Sequence, residues 1–126
     1  MNLPAALRAN ALFTLISSLV CLLAGGMILR HTGVPAQIWI TGLGLMLLSY
    51  VPILLFAAAR PYDWLVGTII WLDWSYVAIA SFWLMSSWQR ADAAGIALEV
   101  VSTAVVALFA VLQQRGLARQ IRDRAS

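Results

Sequence analysis

Five acidic side chains, one histidine and one cysteine are the residues of this chain suited to acid–base, metal or nucleophilic work. Asp73 and Glu99 stand apart because both lie inside long apolar runs. An Asp at the centre of a membrane helix costs about 2.5–3.5 kcal/mol on insertion scales, so it needs a partner or a purpose. Asp73 follows Trp64 by nine positions. That places it about 13–14 Å into its run at ~1.5 Å per residue. A protonatable carboxyl at that depth is what proton-coupled transport uses. The structural alternative is an Asp hydrogen-bonded to a neighbouring helix, clamping a bundle.

Glu99 follows Ala94 by five positions, which is about 7–8 Å from the end of its run and within reach of water. Ser102 and Thr103 continue a polar stripe from it at i+3 and i+4. Asp73 and Glu99 differ in depth by about 9 Å if both helices span ~30 Å. A direct carboxyl pair is therefore not expected, and a water-linked relay is the way the two would cooperate. Asn10 is the third member of the candidate intramembrane polar site. Thr14, Ser17, Ser18, Cys21 and Gly25 follow it on roughly one helix face. Small and hydroxylic residues on one face let helices approach and hydrogen-bond across. Asn10 with Arg8 would alternatively meet a lipid headgroup.

The remaining chemistry is sparse. His31 has no second His to share a haem, and no Cys beside it to share a metal. There is no phosphate-binding glycine loop and no nucleophile–base pair, so no catalytic, cofactor-binding or metal-binding residue is expected, and no cofactor. Cys21 has no partner for an internal disulfide. The residues before it, Ser18-Leu19-Val20, do not fit a lipoprotein acceptor, so it reads as a small buried hydrophobe.

The elements that position these residues follow from composition. Hydrophobic types make up 63% of the 126 residues and charged types 10%, against about 25% charged in an ordinary soluble domain. A chain this short has too little interior to hide that much apolar surface. Disorder would need the opposite balance. An all-α polytopic membrane protein remains, because helices are the open-chain solution to backbone hydrogen bonding in lipid. Four apolar stretches are long enough to span, at about 9–29, 37–59, 64–87 and 94–113. The whole chain, 1–126, is expected to be one membrane domain with a basic tail at 114–126. The first stretch exceeds the 7–15 apolar residues typical of a signal peptide, so an uncleaved helix is expected.

The links are short: Arg30 to Pro35, Arg60 to Asp63, and Gln89 to Asp92. Short links make neighbouring helices antiparallel, giving a four-helix bundle. Asp92 is placed to cap the last helix. Gly42 and Gly44 read as close-packing sites, and Pro52 as a kink. Trp39, Tyr62, Trp64, Trp83 and Trp88 read as interface anchors. Trp71 and Trp74 lie deeper and are expected to pack between helices.

All eight basic residues are Arg. With the N-terminus inside, six of them lie on the inner side, and Arg30 and Arg90 lie outside. The positive-inside rule then puts both termini in the cytoplasm of a multi-pass protein of the inner membrane. The spacing of the Arg residues as membrane flanks also argues against nucleic acid as a partner. The tail from Gln114 reads as a short basic helix, with Arg115, Arg119, Arg122 and Arg124 as candidate lipid-headgroup contacts. The alternative is a solvated tail that only enforces topology.

Leu7-Arg8-Ala9-Asn10-Ala11-Leu12-Phe13 followed by Ser17-Ser18 resembles the opening of a recurrent group of small bacterial four-helix integral membrane proteins. The Leu72-Asp73 pair and the run Ala110 to Leu117 resemble that group too. The resemblance implies a fold and a membrane, and no activity. The chain does not resemble small multidrug exporters, whose essential Glu lies in the first span, where this chain has no acid. It also lacks the glycine-rich opening of fluoride channels. The expected function is non-enzymatic, through helix–helix association as an accessory subunit or homo-oligomer in the lipid bilayer. The alternative is a small proton-linked transporter or channel using Asp73 with Glu99. A quinone-binding redox subunit has only the tryptophan content behind it.

Overall fold

The protein is all-α. The structure, a computed structural model, describes residues 1–125. Five helices follow in order: α1 (Leu3–Leu23), α2 (Gly25–His31), α3 (Gln37–Ala59), α4 (Asp63–Ser87) and α5 (Ala93–Ala125). Among the described residues, α1, α3, α4 and α5 are each long and apolar enough to cross a membrane.

The local causes are legible. Asn2 caps α1 by accepting from the Ala5 amide at 2.9 Å, and Pro4 sits in the first turn. That cap starts the helix at Leu3, ahead of the expected start near residue 9. The first apolar stretch is also two helices. Ala24 leaves helical geometry (φ −120°, ψ 24°), and Gly25-Gly26 restart it. Two adjacent glycines weaken a helix by about 1 kcal/mol each, enough to favour a break there. α3 keeps the expected bounds with Pro52 inside it, on an exposed face.

The largest departure concerns the tail. It is no separate helix: α5 runs unbroken from Ala93 to Ala125, and Ser126 lies outside the described residues. Gln, Arg, Leu and Ala, which dominate 113–125, are strong helix formers, and Gly116 is held by packing. A Cβ on Gly116 would sit 2.9 Å from the Leu3 Cβ. Gln120 donates to the Pro61 carbonyl (2.8 Å) and to Asp63 Oδ1 (3.0 Å), and Arg124 pairs with Asp63. The basic segment is therefore bonded to the α3–α4 link.

The apolar core lies at this Asp63 end. Leu3 and Leu7 of α1 meet Leu54 and Ala57 of α3 and Val66 and Ile69 of α4. At the opposite end, the His31 end, Gly95 of α5 lies against the His31 carbonyl so closely that a Cβ would overlap it. Between the two ends, packing is looser. No residue of α4 between Asp73 and Ser87 is buried, and none of α5 between Gly95 and Ala110. Elsewhere the surface is apolar, with Ile38, Trp64, Ile79 and Phe82 each about 70% exposed. That is inverted relative to a protein in water and is what lipid or another helix would cover.

Trp71 is 69% exposed, so it faces outward and does not pack between helices. Trp74 is 38% exposed and donates to Gln114 Oε1 at 3.4 Å. Of the two glycines expected at close contacts, Gly44 packs against Cys21 and Leu22, whereas Gly42 has nothing against it.

Candidate functional site

Four helices converge on Asp73. It lies ten residues into α4, about 15 Å along a helix of ~37 Å. It is 4% exposed, Asn10 of α1 is 2% exposed and Gln113 of α5 is fully buried. Asn10 Nδ2 donates to Asp73 Oδ2 at 3.0 Å and to Gln113 Oε1 at 2.8 Å. Gln113 Nε2 donates to the same Asp73 Oδ2 at 2.8 Å. Tyr50 of α3 donates its hydroxyl to Asp73 Oδ1 at 3.1 Å. Thr14, one turn after Asn10, donates to Asn10 Oδ1 at 3.1 Å and fills its remaining acceptor.

The arrangement is a closed ring of donors around one carboxyl group. Both Asp73 oxygens are engaged, and both protons of the Asn10 amide are used. A buried polar network of this kind is stabilising when complete and costly when one member is lost. It gives no nucleophile, since Asp73 is covered on both oxygens. The Tyr50 hydroxyl is also 3.4 Å from the Ile69 carbonyl, so it has a second acceptor when Asp73 takes a proton.

The structure brings Asp73 and Asn10 together but leaves Glu99 out. Glu99 is half-buried on α5 within the loosely packed stretch between Gly95 and Ala110, and its Oε2 is buried with no hydrogen-bond partner. Gln113 and Tyr50 are the residues that sequence reasoning missed. Gln113 is the last residue of the span expected at 94–113, and nothing in its spacing marks it. Its real level follows from the continuation of α5 alongside α4. Tyr50 carries no spacing signal at all.

The small-residue stripe of α1 is spent inside the chain. Asn10, Thr14, Ser18 and Cys21 are all buried, and Ser18 donates to the Gly44 carbonyl at 3.0 Å. The four candidate lipid-contacting arginines are exposed but not equivalent. Arg124 is paired with Asp63, while Arg119 lines a surface cleft with Asn2, Gly116 and Asp123. At the other end, His31 Nδ1 lies 2.6 Å from Asp92 Oδ2, and Asp92 Oδ1 caps α5 through the Gly95 amide at 2.9 Å. These two bonds hold the Asp92 carboxyl below the usual aspartate range, the His31 bond contributing most. No group of three or more potential metal ligands occurs among the described residues.

Searched against family models, curated proteins and solved structures, the chain matches none.

Proposed function

We propose that the chain is an antiparallel four-helix bundle of a bacterial inner membrane, with both termini cytoplasmic. It works non-enzymatically, through association of its helices with a second copy or with a partner membrane protein. Gly42 carries this reading. It lies in an apolar groove of about 490 Å³ with Ile38, Trp39, Leu43 and Met46, and nothing packs against it. A bare glycine on a lipid-length apolar helix is the contact point that membrane helices use for close approach. The Asp73 ring supports the same reading from inside, because it ties four helices into one unit that can present that face. The pairing of Asp63 with Arg124 and of Asp73 with Gln113 supports the antiparallel order of α4 and α5. The Arg distribution supports the orientation.

The test is Gly42→Cys in native membranes. A self-crosslinked dimer, or a single crosslinked partner, is expected, and Gly42→Leu should abolish the association without unfolding the chain. Monomeric behaviour of both variants would sink the proposal. Cysteine-accessibility labelling from each side of the membrane tests the orientation.

A second reading is a proton-linked transporter built on Asp73. The Tyr50 hydroxyl between Asp73 Oδ1 and the Ile69 carbonyl favours it, because it lets the carboxyl change protonation without repacking. Glu99 makes no hydrogen bond to this ring, so the two acids would cooperate only through a water-linked relay. Proton flux into liposomes, lost in Asp73→Asn, is the measurement that would raise this reading above the first.

A further inference from the structure

α5 is bonded to α4 at two heights: Gln113 donates to Asp73, and Arg124 pairs with Asp63. Arg115, Arg119 and Arg122 lie between those heights. Their spacing of four and three puts them on one face of α5. Arg115 is two positions from Gln113, about 200° round the helix, so the row points away from the Asp73 ring. All three are exposed. The ion pairs of the described residues are His31 with Asp92 and Arg124 with Asp63, and the hydrogen-bonded arginines are Arg90 and Arg124. The row therefore has no partner among the described residues. Over the same height α4 presents Trp64, Trp71 and Leu72 to its surroundings. Lipid chains suit that face of α4, but they do not suit three cations beside it, because Arg in hydrocarbon is among the costliest side chains. What neutralises the row comes from outside the chain and is negative. Towards the middle of the bundle the same face of α5 turns apolar. Leu108 and Val101, seven and fourteen residues before Arg115, continue it and are exposed. Beside the row a cleft of about 410 Å³ opens between α5 and the start of α1, lined by Asn2, Leu3, Gly116, Arg119 and Asp123 among others. Asp123 sets one negative charge against the three of the row.

We infer that the Arg115–Arg119–Arg122 face of α5 is a binding site for an anionic phospholipid, with its headgroup at the cleft beside Arg119. Charge complementarity argues for that occupant. A row of guanidinium groups that continues into exposed Leu108 and Val101 matches a molecule with a phosphate at one end and acyl chains at the other. The guanidinium N–H groups donate in pairs to the phosphate oxygens, a geometry that Arg offers and Lys does not. The chain has no Lys. Arg124 is outside the site, because Asp63 already holds it. The site rests on the membrane placement proposed above, not on the association of helices.

The experiment uses the full chain in dodecyl maltoside, offered equal amounts of phosphatidylglycerol and phosphatidylcholine with the same acyl chains. Native mass spectrometry counts the lipid retained. Retention of phosphatidylglycerol at least about tenfold over phosphatidylcholine is expected. Arg115→Gln, Arg119→Gln and Arg122→Gln should each weaken it about fivefold, as one Arg at an anionic surface implies. Arg124→Gln removes a cation of the same segment that lies outside the row, and should leave the lipid affinity unchanged. Equal retention of the two lipids, or undiminished retention when all three row arginines are replaced, would overturn the site. So would an equal loss in Arg124→Gln and Arg119→Gln, which would show a response to total charge alone. Displacement of the lipid by an equal concentration of glycerol 3-phosphate would make a soluble phosphate the ligand and overturn the lipid assignment. Alkaline washing of vesicles separates this site from the reading beneath it. A chain stripped from the vesicles overturns the membrane placement, whereas a chain that stays and does not select phosphatidylglycerol overturns the site alone.

Discussion

Asn10 and Gln113 are 103 residues apart in sequence and 2.8 Å apart in space, and both donate to the same oxygen of Asp73. The first and last long helices thus meet at a carboxyl carried by a third. Tyr50 closes the ring from the fourth. Because Asn10, Gln113 and Asp73 are each bonded to both of the others, the cluster specifies one mutual placement of the helices better than apolar contacts could. Apolar side chains slide past one another in lipid at little cost, since lipid is as apolar as they are.

Replacing Asp73 therefore has two distinguishable outcomes. Asp73→Leu strands the donors of Asn10, Gln113 and Tyr50, and should destabilise the detergent-solubilised protein by about 2–4 kcal/mol. Asp73→Asn keeps an acceptor for the two amides and can donate to Tyr50, so about 1 kcal/mol is expected. Thermal denaturation of both variants measures this. A Leu variant more stable than the parent would mean that Asp73 is kept at a cost to folding, for a proton or a ligand.

Asn10→Ala and Gln113→Ala should be non-additive. Their bond to one another and their shared acceptor predict a coupling of about 0.5–2 kcal/mol in a double-mutant cycle. Additive effects would show that the two amides act independently and that the ring is not a unit.

Two glycines give a matched pair. Gly95→Ala drives a methyl group into the His31 carbonyl, a backbone atom that cannot step aside, so about 1–3 kcal/mol of destabilisation is expected. Gly42→Ala meets nothing within the chain and should be neutral or slightly stabilising in a monomer. Denaturation midpoints of the two variants, taken in detergent that keeps the protein monomeric, decide this.

Asp92 predicts an acid-range pH dependence. Its folded-state pKa is lowered, chiefly by the His31 bond. The group therefore contributes stability above the ordinary aspartate range, and that contribution is lost as pH falls through its folded value. Asp92→Asn should flatten the acid limb of the stability profile relative to the parent, and His31→Gln should flatten it partly. An unchanged acid limb in Asp92→Asn would place the titration elsewhere.

Much of this protein follows from one-dimensional facts. The apolar runs that become α3 and α4, the punctuation at Arg60-Pro61 and Gln89 to Asp92, and the cap at Asp92 are properties of neighbouring residues. The sequence alone also marked Asp73 as an acid inside an apolar run that needs a partner or a purpose, because lipid offers its carboxyl neither. Which partners it has is a matter of register. Nothing local in Gln113 or Tyr50 says that they share a level with Asp73. That level depends on where α5 ends, and its end depends on Gln120 and Arg124 finding the α3–α4 link. The first helix broke at Ala24 for a local reason that composition blurred: hydropathy ignores the backbone cost of Gly25-Gly26. The face each tryptophan presents was likewise a tertiary decision. In lipid both faces of a helix are apolar, so periodicity carries no inside–outside signal. Hydropathy sets what enters the membrane. The polar contacts between helices, each many residues apart, set how those helices stand against one another.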